Sequence, residues 1–266
     1  MGSGSGLKID ERRKQILEIL SRQGSVRVTE LSAALGATVV TIRSDLSALE
    51  RDGYLERVQG GAVQSVKNFY NMGFNRRATE NESFKKEVAR RAADMVRDGE
   101  TLFINSGTTT LLTAMELKRK LNLNILTDSL PVAVELGAVP TFRVMLLGGE
   151  INAQYLFTYG NDARERLKGF VADKAILSVD GVDAEAGITT YHAEEATIDK
   201  MMMERSRQTL IVADYTKLGH ASFSRVGDVN EAEVLVTNAE ARQETGQVLE
   251  KLDIEIVYAE SETEWI

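Results

Sequence analysis

Thr101-Leu-Phe-Ile-Asn105, running directly into Ser106-Gly-Thr-Thr-Thr110, sets the architecture expected for most of this chain. The first residues are apolar and strand-forming, and the hydroxyl run that follows opens a helix. A strand passing through glycine and hydroxyl residues into a helix N-terminus aims free backbone N–H groups and hydroxyls at one point. That arrangement suits an oxyanion such as phosphate. The plainer alternative is that serine and threonine only cap the helix. Outward from this stretch, apolar strands are predicted near 101–105, 123–127, 142–147, 174–179, 208–213, 233–236 and 254–258, with helical segments between them. Such alternation predicts an α/β domain with a mostly parallel sheet, whose ligands sit at the carboxyl ends of strands. Pro131 and Pro140 fall outside every one of those strands, as a sheet interior requires.

Three further strand ends carry residues able to touch a ligand. Thr127-Asp128-Ser129 precedes a helix that starts near Leu130-Pro131, and capping is again the plainer role. Leu147-Gly148-Gly149 permits close backbone approach, or simply a tight turn. Asp180-Gly-Val-Asp183 leads on to Gly187-Ile-Thr-Thr190. Upstream, Phe84, Val88, Ala92 and Met95 share one face of a helix predicted from about Ser83 to Val96. Residues 64–82 are polar without sustained periodicity and read as a linker, with Phe69, Tyr70 and Phe74 docking on one of the domains.

The N-terminal sixty residues follow a different plan. Asp10 stands at an N-cap, and Ile9, Ile16, Leu17 and Leu20 recur at helical spacing until Gly24, giving a helix over roughly 10–23. Ser25–Val28 is short and strand-leaning; Thr29 is then expected to cap a helix carrying Leu31, Ala34 and Leu35, which Gly36 ends. Thr38 caps a third helix with Val39, Ile42, Leu46 and Leu49 on one stripe, closed by Asp52 and Gly53. Two helices across a short glycine turn make a helix-turn-helix. Tyr54–Val58 and Ala62–Val63, joined through Gly60-Gly61, add a two-stranded wing. On the third helix Val40, Thr41, Ser44 and Ser47 face away from the core, with Arg43 on the flank. These small groups let a helix sit deep in a major groove, where arginine reaches a guanine edge or a phosphate. Arg27 and Arg57 are candidate phosphate contacts. A small helical bundle with a solvated polar face is the rival reading.

Charge narrows the partners. Residues 1–64 hold nine Lys/Arg against eight Asp/Glu, a net +1, so residues 65–266 carry −9 and give the chain its formal −8. A uniformly basic protein that coats DNA is excluded, since an acidic body repels the phosphate backbone, and nucleic-acid contact must be local to the N-terminus. A 43% hydrophobic content can build a substantial core across two domains. Without cysteine there is no disulfide framework and no thiolate metal site, and His192 and His220 are the only imidazoles, so no metal or cofactor is expected. Met1–Gly6 reads as a flexible linker; no apolar run nears the roughly 18 residues of a membrane span, and no signal peptide pattern opens the chain, so a cytoplasmic protein is expected.

Val28-Thr-Glu-Leu-Ser-Ala-Ala-Leu35, Thr41-Ile-Arg-Ser-Asp-Leu46, Leu49-Glu50, Gly53 and Arg57 through Gly60-Gly-Ala62 together resemble the DNA-binding signature of DeoR-type bacterial transcription regulators. The sequence departs from that pattern at Ser44, where the family has a second arginine, and at Gln59, where histidine is common. Operator preference therefore does not carry over from relatives. Gly99-Glu-Thr-Leu-Phe-Ile-Asn-Ser-Gly-Thr-Thr109, Leu147-Gly-Gly149, Asp173-Lys-Ala-Ile176, Gly181-Val-Asp183, Gly187-Ile-Thr189 and Ala213-Asp-Tyr-Thr-Lys-Leu-Gly219 resemble the effector domain of the same family, whose fold is related to ribose-5-phosphate isomerases. Val179–Thr190 looks most like the branch governing amino sugar and sugar alcohol uptake.

The resemblance implies a winged helix-turn-helix at 7–63, a linker at 64–82 and an effector domain at 83–266. It implies a repressor that binds double-stranded operator DNA through Arg27, Thr38, Val40, Thr41, Arg43, Ser44 and Arg57, as a homo-oligomer, dimer or tetramer. A phosphorylated sugar would be held by Ser106, Gly107, Thr108 and Thr109, with its sugar end near Asp128, Ser129, Gly148, Asp180 and Asp183, and Lys217 supplying a cation. Glu194, Glu195 and Lys200 read as ordinary surface charges on a helix, and His192 as a loop or cap residue. The rival from another class is a sugar-phosphate isomerase using Asp180, Asp183 and Lys217. Against it, Ala184 stands where those enzymes continue with glutamate, their glycine-rich lysine segment is missing, and an enzyme has no use for residues 9–63. No catalytic residues are expected.

Overall fold

A computed structural model describes residues 9–51, 54–63 and 74–260. The chain divides into two compact units, Met1–Glu80 and Asn81–Ile266. In the first, helix α1 (Ile9–Gln23), strand β1 (Ser25–Arg27), helices α2 (Val28–Leu35) and α3 (Val39–Arg51) and strands β2 (Glu56–Val58) and β3 (Gly61–Val63) surround one core. Ile16 and Leu20 of α1, Leu31 of α2, and Ile42, Leu46 and Leu49 of α3 fill it. Thr38 Oγ1 accepts the Thr41 N–H at 3.2 Å, the cap expected for α3. The expected closure at Asp52-Gly53 lies outside the described residues.

Two local expectations change. Thr29 does not cap α2: the helix begins at Val28, with Arg27 in the N-cap position and no capping side chain. The cause is the wing, because Gly60 O takes the Val28 N–H at 2.9 Å and so satisfies a donor that a cap would otherwise serve. The wing is also three-stranded, in the order β1-β3-β2. A Cβ on Gly61 would lie 2.0 Å from Val26 O, so only glycine lets β3 pair with β1.

Residues 64–73, including Phe69 and Tyr70, lie outside the description. Phe74–Thr79 and Glu82–Asp94 are helical, which corrects the reading of 64–82 as wholly irregular. In the second unit all seven predicted strands form one sheet: β4 (Thr101–Ile104), β5 (Asn124–Thr127), β6 (Arg143–Leu146), β9 (Lys174–Ser178), β12 (Thr209–Val212), β14 (Val234–Asn238) and β15 (Glu255–Ala259). Their order is β15-β14-β12-β9-β4-β5-β6, and every pairing is parallel. Helices Glu82–Asp94, Thr108–Leu117 and Leu130–Gly137 contribute to one core cluster, and Asn161–Leu167 and Ala193–Glu204 to the other.

The chain runs outward from β4 through β5 to β6, then returns to place β9 on the other flank of β4. The topological switch point therefore lies between β4 and β9, the place where an open α/β sheet leaves a crevice for ligand. Register aligns the strand ends there, with Ile104 paired to Thr127 on one side and Ile176 on the other. Antiparallel elements β7 (Glu150–Asn152) with β8 (Phe157–Tyr159), and β10 (Gly181–Asp183), β11 (Gly187–Thr190) and β13 (Ser224–Gly227), were not expected. No helix among the described residues is long and apolar enough to cross a membrane.

Candidate functional site

At the switch point the Asn105 amide ties β4 to β9. Its Nδ2 donates to Ser178 O at 2.9 Å and to Asp199 Oδ1 at 3.0 Å, and its Oδ1 accepts the Ser178 N–H at 2.9 Å. Gly107 is the N-cap of helix Thr108–Leu117, and no side chain caps that helix. The capping alternative for this hydroxyl run is therefore not what the chain uses. Ser106 Oγ instead donates to Glu195 Oε1 at 3.1 Å, Thr110 Oγ1 to Gly107 O at 3.1 Å and Thr113 Oγ1 to Thr109 O at 2.9 Å. The helix N-terminus is thus left without a side-chain cap, and an uncapped N-terminus with its dipole suits an anion.

Gly107 is needed for this geometry. A Cβ there would sit 1.8 Å from Ser178 Oγ and 3.0 Å from Ser178 Cβ. Rotating the hydroxyl relieves the first contact but not the second. Gly107→Ala should thus push the helix start away from β9 and destabilise the unit by about 1–3 kcal/mol, the usual cost of overpacking. Thermal melts followed by circular dichroism read it, and an unchanged Tm would show that the contact with Ser178 relaxes at no cost.

The neighbouring strand ends converge on the same crevice. Asp128 is fully buried at the end of β5, and both carboxylate oxygens lack a hydrogen-bond partner. Burial first, then the nearby Glu195 carboxylate, push its pKa well up, and the backbone N–H groups of Asp128 and Ser106 offset part of the rise. Ser129 does serve as a cap, its Oγ accepting the Val132 N–H at 3.4 Å. Asp128 O also receives the Thr158 N–H at 2.8 Å, which seats β8 against this loop. Gly148 has φ +79° and open space around it, whereas a Cβ on Gly149 would meet Tyr159 O at 2.2 Å, so the pair turns the chain from β6 into that hairpin.

Beyond β9, Asp180 Oδ2 accepts the Tyr191 N–H at 2.9 Å and lies 3.2 Å from Thr190 Oγ1, which donates to Glu195 Oε2 at 2.7 Å. Asp183 is placed differently. Its Oδ1 accepts the Ala186 and Glu185 N–H groups, each at 2.9 Å, and these bonds lower its pKa. That carboxylate closes the β10–β11 turn. Lys217 is half-buried in the short turn Tyr215–Lys217 that Asp214 caps. This turn lies beside β10, since Gly219 N–H donates to Val182 O at 2.8 Å.

One residue of the cluster was misread from sequence and another was missed. Glu195 is a buried acceptor for Ser106 and Thr190, not a surface charge, and Asp199, one turn on, is fully buried. Burial and the carboxylates of Glu195 and Asp128 raise the Asp199 pKa well above the usual range. The available signal was their spacing with Ile198 and Met202 on one helical face. Glu194 is exposed, Lys200 pairs with Glu231, and His192 takes the N-cap position of the helix.

On the first unit, Val40 is 75% exposed, and Arg43 and Ser44 are exposed beside it on α3. A valine so open on a helix flanked by arginine suits contact with a thymine methyl. The Arg27 and Arg43 side chains make no hydrogen bond or ion pair among the described residues, which leaves both guanidinium groups available. Arg57 is engaged: its guanidinium donates to Ser47 Oγ at 2.8 Å and its backbone N–H to Glu50 at 3.0 Å, tying wing to helix.

Residues 12–67 match the DeoR-like helix-turn-helix domain, and residues 80–239 match the DeoR C terminal sensor domain. The chain is 30% identical over 243 residues to the glycerol-3-phosphate regulon repressor of Escherichia coli (strain K12), covering 91% of this chain and 96% of that protein. It is 32% identical over 231 residues to the uncharacterized HTH-type transcriptional regulator YulB of Bacillus subtilis, covering 87% and 89%. Ribose 5-phosphate isomerase A of Methanocaldococcus jannaschii aligns over 52% of this chain and 54% of its own, at 17% identity and TM-score 0.37. With both units matched and relatives aligned along almost the whole chain, the protein belongs to the DeoR family of transcriptional regulators.

Proposed function

We propose that the protein is a homo-oligomeric repressor of a sugar or sugar-alcohol utilisation operon, released from double-stranded operator DNA by a phosphorylated sugar. The observation that carries the effector half is the uncapped helix N-terminus at Gly107–Thr109, set at the switch point of a parallel sheet. Ser106, Gly107, Thr108 and Thr109 hold the phosphate. Asp128, Ser129, Gly148 and Asp180 border the sugar, and the turns of Asp183 and Lys217 close the β10 side. The likeness to a glycerol-3-phosphate regulon repressor supports an effector of this class.

Thr38, Val40, Thr41, Arg43 and Ser44 meet the major groove, and Arg27 and Arg57 the phosphates beside it. Two copies reach two half-sites on one duplex. The effector shifts occupancy by binding the free form and the DNA-bound form with different affinity. Arg43→Ala should weaken operator binding by about 1–3 kcal/mol while leaving effector affinity intact. Fluorescence anisotropy on operator against scrambled DNA reads this, and an unchanged specificity ratio would remove Arg43 from the interface. The whole proposal is tested by the same assay on DNA from the protein's own gene neighbourhood, with phosphorylated sugars and their unphosphorylated parents. Release by a phosphorylated sugar alone is expected; specific binding that no such sugar releases would discard the phosphate site.

A further inference from the structure

At the end of β4, β5 and β6 away from the effector crevice, one face of the sheet carries a cavity of about 330 Å³. Register builds its floor. Phe103, Leu126 and Met145 lie opposite one another in one row, and Thr101, Asn124 and Arg143 form the parallel row two residues earlier, on the same face. On the opposite face helix Leu130–Gly137 covers β5 and β6. On this face the wall is the loop Phe170-Val171-Ala172, and no helix residue takes part.

The two rows differ in chemistry. Phe103 and Leu126 are buried, Met145 and Phe170 are half-buried, and Val171 is 73% exposed at the rim. Such a lining offers water few partners, and close-packed interiors leave few voids of this size. The other row is polar. The Arg143 guanidinium and the Asn124 amide line the cavity, and neither makes a hydrogen bond or ion pair among the described residues. Thr101, third in the row, donates its hydroxyl to Asp173 Oδ2 at 2.7 Å, and the second oxygen of that carboxylate lies 3.4 Å from Arg207. Asp173 is therefore engaged elsewhere, and the charge of Arg143 is left to meet something from outside.

We propose that this cavity is a second ligand site that takes a medium-chain monocarboxylate, its carboxylate on Arg143 and Asn124 and its chain over Phe103, Leu126 and Met145. Charge selects the head group: a guanidinium binds a carboxylate through charge-assisted, often bidentate hydrogen bonds that an alcohol or ester cannot match. Volume selects the tail. At about 30 Å³ per water-sized group, the cavity holds about eleven such groups, the size of an eight- to ten-carbon acid. The site is separate from the crevice, because Thr101 begins β4 whereas Asn105 follows its last residue, roughly 13 Å further along. It stands whatever the crevice binds.

The test is calorimetric titration of the full chain with octanoate and decanoate below their micelle-forming concentrations, against octanol, methyl octanoate, octylamine and acetate. One medium-chain carboxylate should bind per chain, about ten-fold or more tighter than the alcohol, ester or amine, and acetate should not bind. Arg143→Gln should erase the advantage over octanol and leave octanol binding within about two-fold. Val171→Asp, which sets a carboxylate in the exposed wall, should abolish octanoate binding. Both positions are exposed, so melts of the two variants should match the parent chain. Equal binding of octanoate and octanol, octanoate affinity that survives Arg143→Gln, or no binding at all overturns the proposal. Sedimentation supplies a further check: if octanoate or Val171→Asp splits the protein into smaller species, the face is an interface between copies and the ligand site is discarded.

Discussion

Replacing Asp45 by alanine is expected to unfold the DNA-binding unit and abolish operator binding, with effector affinity unchanged in the other unit. Asp45 is 3% exposed on the core side of α3, between Ile42 and Leu49, and it accepts Arg12 Nε–H at 2.6 Å and Arg13 Nε–H at 3.3 Å. Arg12 is itself 9% exposed, and the bond to Asp45 raises its pKa. Removing one partner of a buried pair costs about 3–5 kcal/mol, because the other charge stays behind in low dielectric. A single core in a unit this small supplies only about 3–5 kcal/mol in total, so the loss consumes nearly all of it. The double substitution Arg12→Met with Asp45→Leu should recover most of the stability, since apolar residues of similar volume replace such pairs at little cost. Circular dichroism melts with parallel anisotropy measurements read both. An Asp45→Ala chain that melts unchanged would show the pair to be an ordinary surface contact.

Asp45 also marks where sequence reading fails. Buried parallel strands are nearly continuous apolar runs, and all seven were legible within a residue or two; Lys174–Ser178 against 174–179 is typical. The strands missed have three or four residues rich in glycine and polar side chains, as in Gly181–Asp183 and Glu150–Asn152, too short to show a period. The strand ends were legible with the strands, and topology gathers those of β4 and β9 at the switch point. The acids were not, because a charged residue on a helix is exposed far more often than buried. Asp45, Glu195 and Asp199 all lie on apolar stripes of their helices, and only the fold shows what meets them: two arginines in the first case, hydroxyls and an amide in the others. Asp183, expected near the sugar end, holds a turn through the Glu185 and Ala186 N–H groups, a local role its position before Gly187 did not reveal.

Thr108→Asp is expected to abolish induction while leaving the sensor unit as stable as before, or more stable. Thr108 is the first residue of the helix after Gly107, is nearly buried, and its side chain has no hydrogen-bond partner among the described residues. A carboxylate in a first helical turn interacts favourably with the dipole by about 0.3–1 kcal/mol. If the hydroxyl run existed only to start the helix, aspartate would therefore be harmless or better. In the anion site the sign reverses. At an effective dielectric of 20, two unit charges 4 Å apart repel by about 4 kcal/mol, and a phosphate near its second ionisation feels more. That corresponds to a loss of effector affinity of about a thousand-fold or more. Operator binding in the absence of effector should be unaltered, because the substitution lies outside the DNA-binding unit. The variant would then be a super-repressor: folded, bound to operator and deaf to effector. A Thr108→Asp protein that releases DNA at wild-type effector concentration would return Ser106–Thr110 to the role of a helix start and nothing more.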